Sequence, residues 1–247
     1  MFFFKSKEIL PRDFFPKGFV DIHSHLLPGI DDGAQDLNTS IALIEKMASY
    51  GIKNFITTPH ILGDIYPNTP EIIIGKLKDV KQELSNRNIK DISIKAAAEY
   101  MMDENFLTLL DKDKELLTLK DKLVLVEMSY FSPPIHLFDI LFQLGLKGYK
   151  PVLAHPERYN SYHKNFRIYQ KLKNAGCLFQ LNLLSLTENY GKGVQKTSEK
   201  LLNENMYDFI GTDVHHFNHL DGLKKISTKK NLIKLEQLLL NNKKFLD

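Results

Sequence analysis

The chain has 247 residues, 33 of them basic and 30 acidic, with a formal net charge of +3 and hydrophobic and charged fractions of 43% and 26%. That balance suits a globular protein with a sizeable core, excludes wholesale disorder and gives no electrostatic reason to expect a nucleic-acid partner. The single cysteine, Cys177, has no partner for an internal disulfide, and no apolar run approaches the ~18 residues of a membrane span, so a reducing cytoplasm is the expected location.

Residues 1–17 read as an extension ahead of the fold, whose Phe-rich stretch is expected to pack rather than to serve as a secretory signal, because no long apolar run follows Lys5 and Lys7. Residues 18–247 then make one domain, a length typical of an α/β barrel. Gly18-Phe19-Val20 starts the first strand, which closes on Asp21-Ile22-His23-Ser24-His25. His23 and His25, two positions apart in extended chain, place both rings on one side.

Apolar positions at helical spacing predict a helix over 37–50, stopped by Gly51, before a strand over 54–58 that ends in Thr58-Pro59-His60. A helix over 70–88 leads to a strand over 92–99, ending at Glu99. A weaker pattern between 103 and 122 gives one short helix and a turn, then a strand over 123–127 ending at Glu127. The same alternation continues with a helix over 135–144, a strand over 151–154 leading into His155, a helix over 166–175 and a strand over 177–183. A helix over 197–205, a strand over 207–212 ending at Asp213, and an amphipathic helix over 232–240 close the chain. Seven strands alternating with helices, without a hairpin signal, predict a parallel sheet of right-handed crossovers that closes into a barrel.

His23, His60, Glu99, Glu127, His155 and Asp213 all fall at or just beyond the C-terminal end of a predicted strand. In α/β barrels that rim carries the chemistry. With His25, Asp32 and His215 the set holds five imidazoles and four carboxylates. Any one of them has a structural reading, as a helix cap or a turn residue. Together they exceed the needs of one open metal site and suit two or three divalent ions bridged by carboxylate and water. Such ions lower the pKa of a bridging water and hold the oxygens of a phosphate under in-line attack, so hydrolysis of a phosphate ester is expected. Arg158, three residues after His155, can grip phosphate oxygens or pair with Glu157 or another acid. Tyr130-Phe131-Ser132-Pro133-Pro134 either walls a pocket or belongs to the core.

Asp21-Ile22-His23-Ser24-His25 with Asp31-Asp32-Gly33, Thr58-Pro59-His60, Ala98-Glu99, Val126-Glu127, Ala154-His155-Pro156-Glu157-Arg158-Tyr159 and Gly211-Thr212-Asp213-Val214-His215, in that order, resemble the bacterial PHP-type (polymerase and histidinol phosphatase) protein-tyrosine phosphatases of capsular and exopolysaccharide systems. The resemblance runs from about Gly18 to the C-terminus and implies a distorted (β/α)7, TIM-like barrel with a trinuclear site commonly supplied with manganese. It implies one ion on His23, His25, Glu99 and Asp213, a second on Asp32, His60 and His215, and a third on Glu99, Glu127 and His155, with Glu99 as a bridge. Arg158 and Asp213 are the implied catalytic residues, Arg158 gripping phosphate, and a metal-bridging hydroxide is the implied nucleophile. The implied partner is a phosphotyrosine protein, the tyrosine-rich tail of a bacterial tyrosine kinase controlling polysaccharide export. Relatives of this kind often carry an Arg after the final Asp-x-His, where this chain has His216, His219 and Lys224.

Two other readings share these residues: a phosphatase of a small ester such as histidinol phosphate, and a non-catalytic metal-binding protein. Iron, cobalt or zinc would fit the same donors as manganese. There is no Cys-x5-Arg loop, so Cys177 is not expected to be a nucleophile.

Overall fold

Of residues 18–25 only Val20–Asp21 form the first strand, β1, which lies beside β2 (Asn54–Thr57), and β2 beside β4 (Ser93–Ala96). A second sheet has the order β3 (His60–Ile61), β5 (Glu99–Met101), β6 (Leu123–Glu127), β7 (Lys150–Ala154), β8 (Leu178–Asn182) and β9 (Phe209–Gly211). Every pairing is parallel. The computed structural model of the protein describes residues 14–112, 114–226 and 232–246, and among them no helix is long and apolar enough to cross a membrane.

Two of the seven expected strands are each divided. Pro59 has no N–H to give a ladder and separates β2 from β3, while Ala97 and Ala98 separate β4 from β5. Hydrogen bonds carry the pairing across both breaks: Thr58 N–H donates to Ser24 O at 2.7 Å, Ala97 N–H to Thr57 O at 2.9 Å and Glu99 N–H to Pro59 O at 3.1 Å. At the other margin Ser24 forms a parallel bridge to Val214, beyond the end of β9.

The helices follow the predicted alternation. Asp36 caps α1 (Leu37–Ser49) by accepting from Thr39 N–H at 2.8 Å, and Ile41, Ile44 and Met47 are buried beneath it. Thr69 caps α2 (Pro70–Asn86), with Pro70 where a free N–H is dispensable. Asp103 caps the short α3 (Glu104–Asp111). The next helices are α4 (Leu137–Leu146), α5 (Arg167–Asn174) and α6 (Lys192–Asn203). Helix α6 starts five residues earlier than the sequence pattern suggests, because its first turn offers only Val194 as an apolar contact. Helix α7 (Phe217–Leu223), unforeseen from the sequence, buries Leu220, Gly222 and Leu223, and α8 (Leu232–Asn241) closes the set. Of the extension, Met1–Phe4 lie outside the described residues, whereas Phe15 is buried with its ring 5.0 Å from that of Phe19.

Two apolar layers hold these elements. The larger packs the helices on the outer strand faces. The smaller gathers Val20, Ile56, Leu125, Val152 and Phe209 from facing strands, with Phe245 against them. Along β6 the inward face passes from Leu125 to Glu127, and along the last strand from Phe209 through Gly211 to Asp213. The polar cluster thus continues the same stack at the C-terminal end of the strands. At the opposite end buried Asn242 donates to Val20 O at 2.9 Å and Ile210 O at 2.6 Å, and accepts from Ile210 N–H at 3.1 Å.

Candidate metal centre

All nine ligand-type residues singled out by the sequence meet at this end. Glu99 lies at the middle: its Oε2 is 3.1 Å from His23 Nε2, 3.4 Å from His25 Nε2 and 3.2 Å from His60 Nδ1, and its Oε1 is 3.1 Å from His155 Nε2. Asp213 Oδ1 lies 3.3 Å from His23 Nε2 and 3.4 Å from His25 Nε2. Asp32 Oδ1 reaches His60 Nε2 at 3.5 Å and His215 Nε2 at 3.4 Å. Glu127 contacts His60 Nδ1 at 2.9 Å and His155 Nε2 at 4.0 Å. One donor atom each from His25, Asp32, His60 and His215 lies within 4.8 Å of the others; so it is for His23, His25 and Asp213, for His23, Glu99 and His155, and for His60, Glu99 and Glu127. Grouped by distance alone, His60 therefore stands between Asp32 and the Glu127 side.

Neighbouring residues fix which ring nitrogen faces the centre. His23 Nδ1 donates to Gln180 Oε1 at 2.8 Å and His25 Nδ1 to Asp31 Oδ2 at 2.8 Å, leaving each Nε2 lone pair free to face inward. His215 Nδ1 is 2.9 Å from Asp213 O, and Asn182 Nδ2 donates to Asp213 Oδ2 at 2.7 Å. Gly211 makes room for this support, since a Cβ there would lie 2.5 Å from His23 Cβ and 2.6 Å from Gln180 Nε2. His155 and Asp213 both hold left-handed backbone, with φ of 34° and 52°, a conformation costly for non-glycine residues that turns their side chains into the cluster. Gln180→Leu is therefore expected to weaken divalent-ion affinity about 10- to 100-fold, read by competition with a chromophoric chelator.

Burial opposes ionisation of Glu99 and Asp213, but the imidazoles of His23 and His60 around Glu99, and of His23 and His215 around Asp213, hold both carboxyls well below the usual range. Burial and His25 oppose protonation of His60, yet Glu99, Asp32 and Glu127 outweigh them and raise it to about 10. The three buried carboxylates, Glu99, Glu127 and Asp213, demand positive charge, while Asp32 lies at the exposed edge of the cluster. Glu99 Oε2 and His60 Nδ1 are buried within contact distance of other site atoms yet have no aligned hydrogen-bond partner, the arrangement of donors gathered around common points. Nitrogen and oxygen donors of this kind fit divalent transition ions.

Arg158 pairs with Asp213, Nη1 to Oδ2 at 2.9 Å, and not with Glu157. Its guanidinium is sandwiched between Tyr130 and Tyr190, 4.4 and 4.2 Å from the ring centroids. The cluster and Arg158 open on a cleft of about 930 Å³ whose wall includes Tyr66, Tyr130, His216 and His219. Lys224 instead pairs with Asp221 at 2.5 Å.

Glu157 points away from the cluster: its Oε1 accepts from Asn182 N–H at 3.0 Å and its Oε2 from the Tyr207 hydroxyl at 3.0 Å. Burial outweighs these bonds and raises its carboxyl from 4.5 to about 7. A carboxyl raised on folding contributes stability below its unfolded value and loses that contribution as pH rises through its folded value. The melting temperature is thus expected to fall between about pH 5 and about pH 8, and less steeply in Glu157→Gln; parallel curves would refute this account.

Sequence reasoning overlooked Gln180, Asn182 and Tyr190 and passed over Asp31. Gln180 and Asn182 are polar residues two apart in an otherwise apolar strand, a period-2 signal for a shared inward face.

Comparison with known proteins gives the family. Tyrosine-protein phosphatase YwqE of Bacillus subtilis (strain 168) is 31% identical over 201 residues, covering 80% of this chain and 77% of that one. Tyrosine-protein phosphatase CpsB of Streptococcus agalactiae serotype III (strain NEM316) is 29% identical over 205 residues, covering 81% and 84%. A chain from the crystal structures of YwqE from Bacillus subtilis and CpsB from Streptococcus pneumoniae, described as unique metal-dependent tyrosine phosphatases, superposes with a TM-score of 0.74 at 29% identity over 90% of this chain and 94% of that one. The histidinol phosphate phosphatase of Lactococcus lactis, 14% identical with a TM-score of 0.53, shares the fold. The family model for capsular polysaccharide synthesis proteins CpsB/CapC matches residues 19–244, and the chain belongs to that family.

Proposed function

We propose that this protein is a metal-dependent protein-tyrosine phosphatase of capsule synthesis, whose substrate is the phosphorylated tyrosine-rich tail of a bacterial tyrosine kinase in the cytoplasm. The observation that carries the reading is the convergence of nine ligand-type side chains around Glu99, with the Arg158 guanidinium 2.9 Å from Asp213 at the floor of an open cleft. The names of the relatives supply the substrate class. Residues 18–247 would form the phosphatase domain as a distorted (β/α)7 barrel, a reading supported by the pairing across both strand breaks and the Ser24–Val214 bridge.

His23, His25, Glu99 and Asp213 would hold one ion, Asp32, His60 and His215 a second, and Glu99, Glu127 and His155 a third. Manganese is our assignment, although iron, cobalt or zinc would satisfy the same donors. When bound, such ions acidify water and neutralise phosphate charge. Arg158 presents N–H donors to the phosphate oxygens, its plane fixed beforehand by Tyr130 and Tyr190. Asn182 and Arg158 both bind Asp213 Oδ2, which keeps Oδ1 turned toward His23 and His25. Gln180 and Asp31 hold the tautomers that aim His23 and His25 inward.

The test is turnover of a phosphotyrosine peptide, a phosphoserine peptide and histidinol phosphate by manganese-loaded protein, with and without chelator. Chelator-sensitive preference for the phosphotyrosine peptide is expected. Chelator-insensitive turnover, or a higher kcat/KM for histidinol phosphate, overturns the reading. Cys177 is buried, and burial pushes its thiol up to about 12, so it offers no thiolate nucleophile. Cys177→Ser is accordingly expected to keep kcat within about twofold, and iodoacetamide to leave the native enzyme active.

A further inference from the structure

The cleft has two unlike kinds of lining. One is the polar cluster with Arg158. The other is an apolar lobe formed by Leu62, Ile65, Met101, Leu107, Phe131 and Ile135, with Asp103, Glu104 and His136 among its polar wall residues. Phe131 is 93% exposed, Ile135 95% and Ile65 68%. Large apolar side chains gathered this openly beside a cavity and bordered by polar groups mark a ligand surface. Proline at positions 133 and 134 restricts the backbone between Phe131 and Ile135. At about 930 Å³ the cleft is also near the upper end of pockets that enclose a whole drug-sized ligand. A single phosphotyrosyl side chain would leave much of that lobe unfilled.

We propose that this lobe is a specificity subsite for an apolar side chain lying within two residues of the phosphotyrosine in an extended peptide. The inference rests on the phosphatase reading and narrows it, from phosphotyrosine in general to phosphotyrosine beside Leu, Ile, Met or Phe. The occupant is a neighbouring side chain of the substrate because the lobe is continuous with the cluster and Arg158. Asp103 and Glu104 at the border disfavour an acidic residue in the same place. A small phosphate ester would gain nothing from the lobe.

The experiment uses the full chain loaded with manganese and a set of phosphotyrosine peptides in a Gly/Ser background. Each carries one Leu, or one Asp, one or two positions before or after the phosphotyrosine, and p-nitrophenyl phosphate is the reference. At one of the four positions Leu is expected to raise kcat/KM about tenfold through KM, the worth of filling an apolar pocket with one side chain. In Phe131→Ala/Ile135→Ser, the ratio of kcat/KM for that peptide to kcat/KM for p-nitrophenyl phosphate is expected to fall by the same factor. Both side chains are exposed, so the double variant should melt like the parent. A flat Leu series, a preference for Asp, or a ratio that survives the double substitution overturns the subsite while leaving the phosphatase standing. Absence of turnover on every ester removes the phosphatase reading and this inference with it.

Discussion

Glu99→Gln is expected to lower kcat on a phosphotyrosine peptide by about 10³-fold or more, a loss at least as large as that of one transition-state hydrogen-bond donor. The reason is the position of Glu99: its two oxygens contact His23, His25, His60 and His155, so one carboxylate serves four imidazoles from three segments of the chain. An amide keeps the shape but loses the charge and one acceptor. Elemental analysis of the purified variant should show fewer bound ions per chain than the parent. Its far-ultraviolet circular dichroism should match, because the apolar layers beneath the site are untouched. A variant that keeps its full ion content and a rate within tenfold of the parent would show that the centre is organised on some other residue.

Arg158→Ala is expected to lower kcat/KM by about 10²-fold, in the range measured for removing one charge-stabilising donor from a site. Bound metal should be retained, since Asp213 keeps its bond from Asn182. Inhibition by inorganic phosphate should weaken in parallel, which separates a lost phosphate contact from a general disturbance of the cluster. Arg158→Lys should recover little, because an ammonium cannot reproduce a planar fork stacked between Tyr130 and Tyr190. An unchanged rate in Arg158→Ala would favour a metal-binding protein without catalytic function.

What could be read from the chain was whatever repeats with a short period or ends abruptly. The strand Leu123–Glu127 was legible to the residue because an unbroken apolar run ends on a carboxylate. The nine-residue cluster was legible because parallel strands deliver their final side chains to one end, so position along the chain stood in for position in space. The supporting contacts were not. His23 and Gln180 are 157 residues apart, and nothing local announces that their side chains meet over Gly211. Tyr190 lies in a single 3₁₀ turn, and its place over Arg158 depends on tertiary packing alone. The left-handed backbone of His155 and Asp213 was not legible either, since His and Asp tolerate that region better than most residues but adopt it only where tertiary packing requires it. The third implied ion set was legible in its residues but less so in its spacing, with His60 nearer to Glu127 than His155 is.

Asn242, beyond the last helix, ties the first strand to the last through Val20 and Ile210. A single side-chain amide thus joins two strands that share no ladder of their own, so the three bonds it makes are kept or lost together.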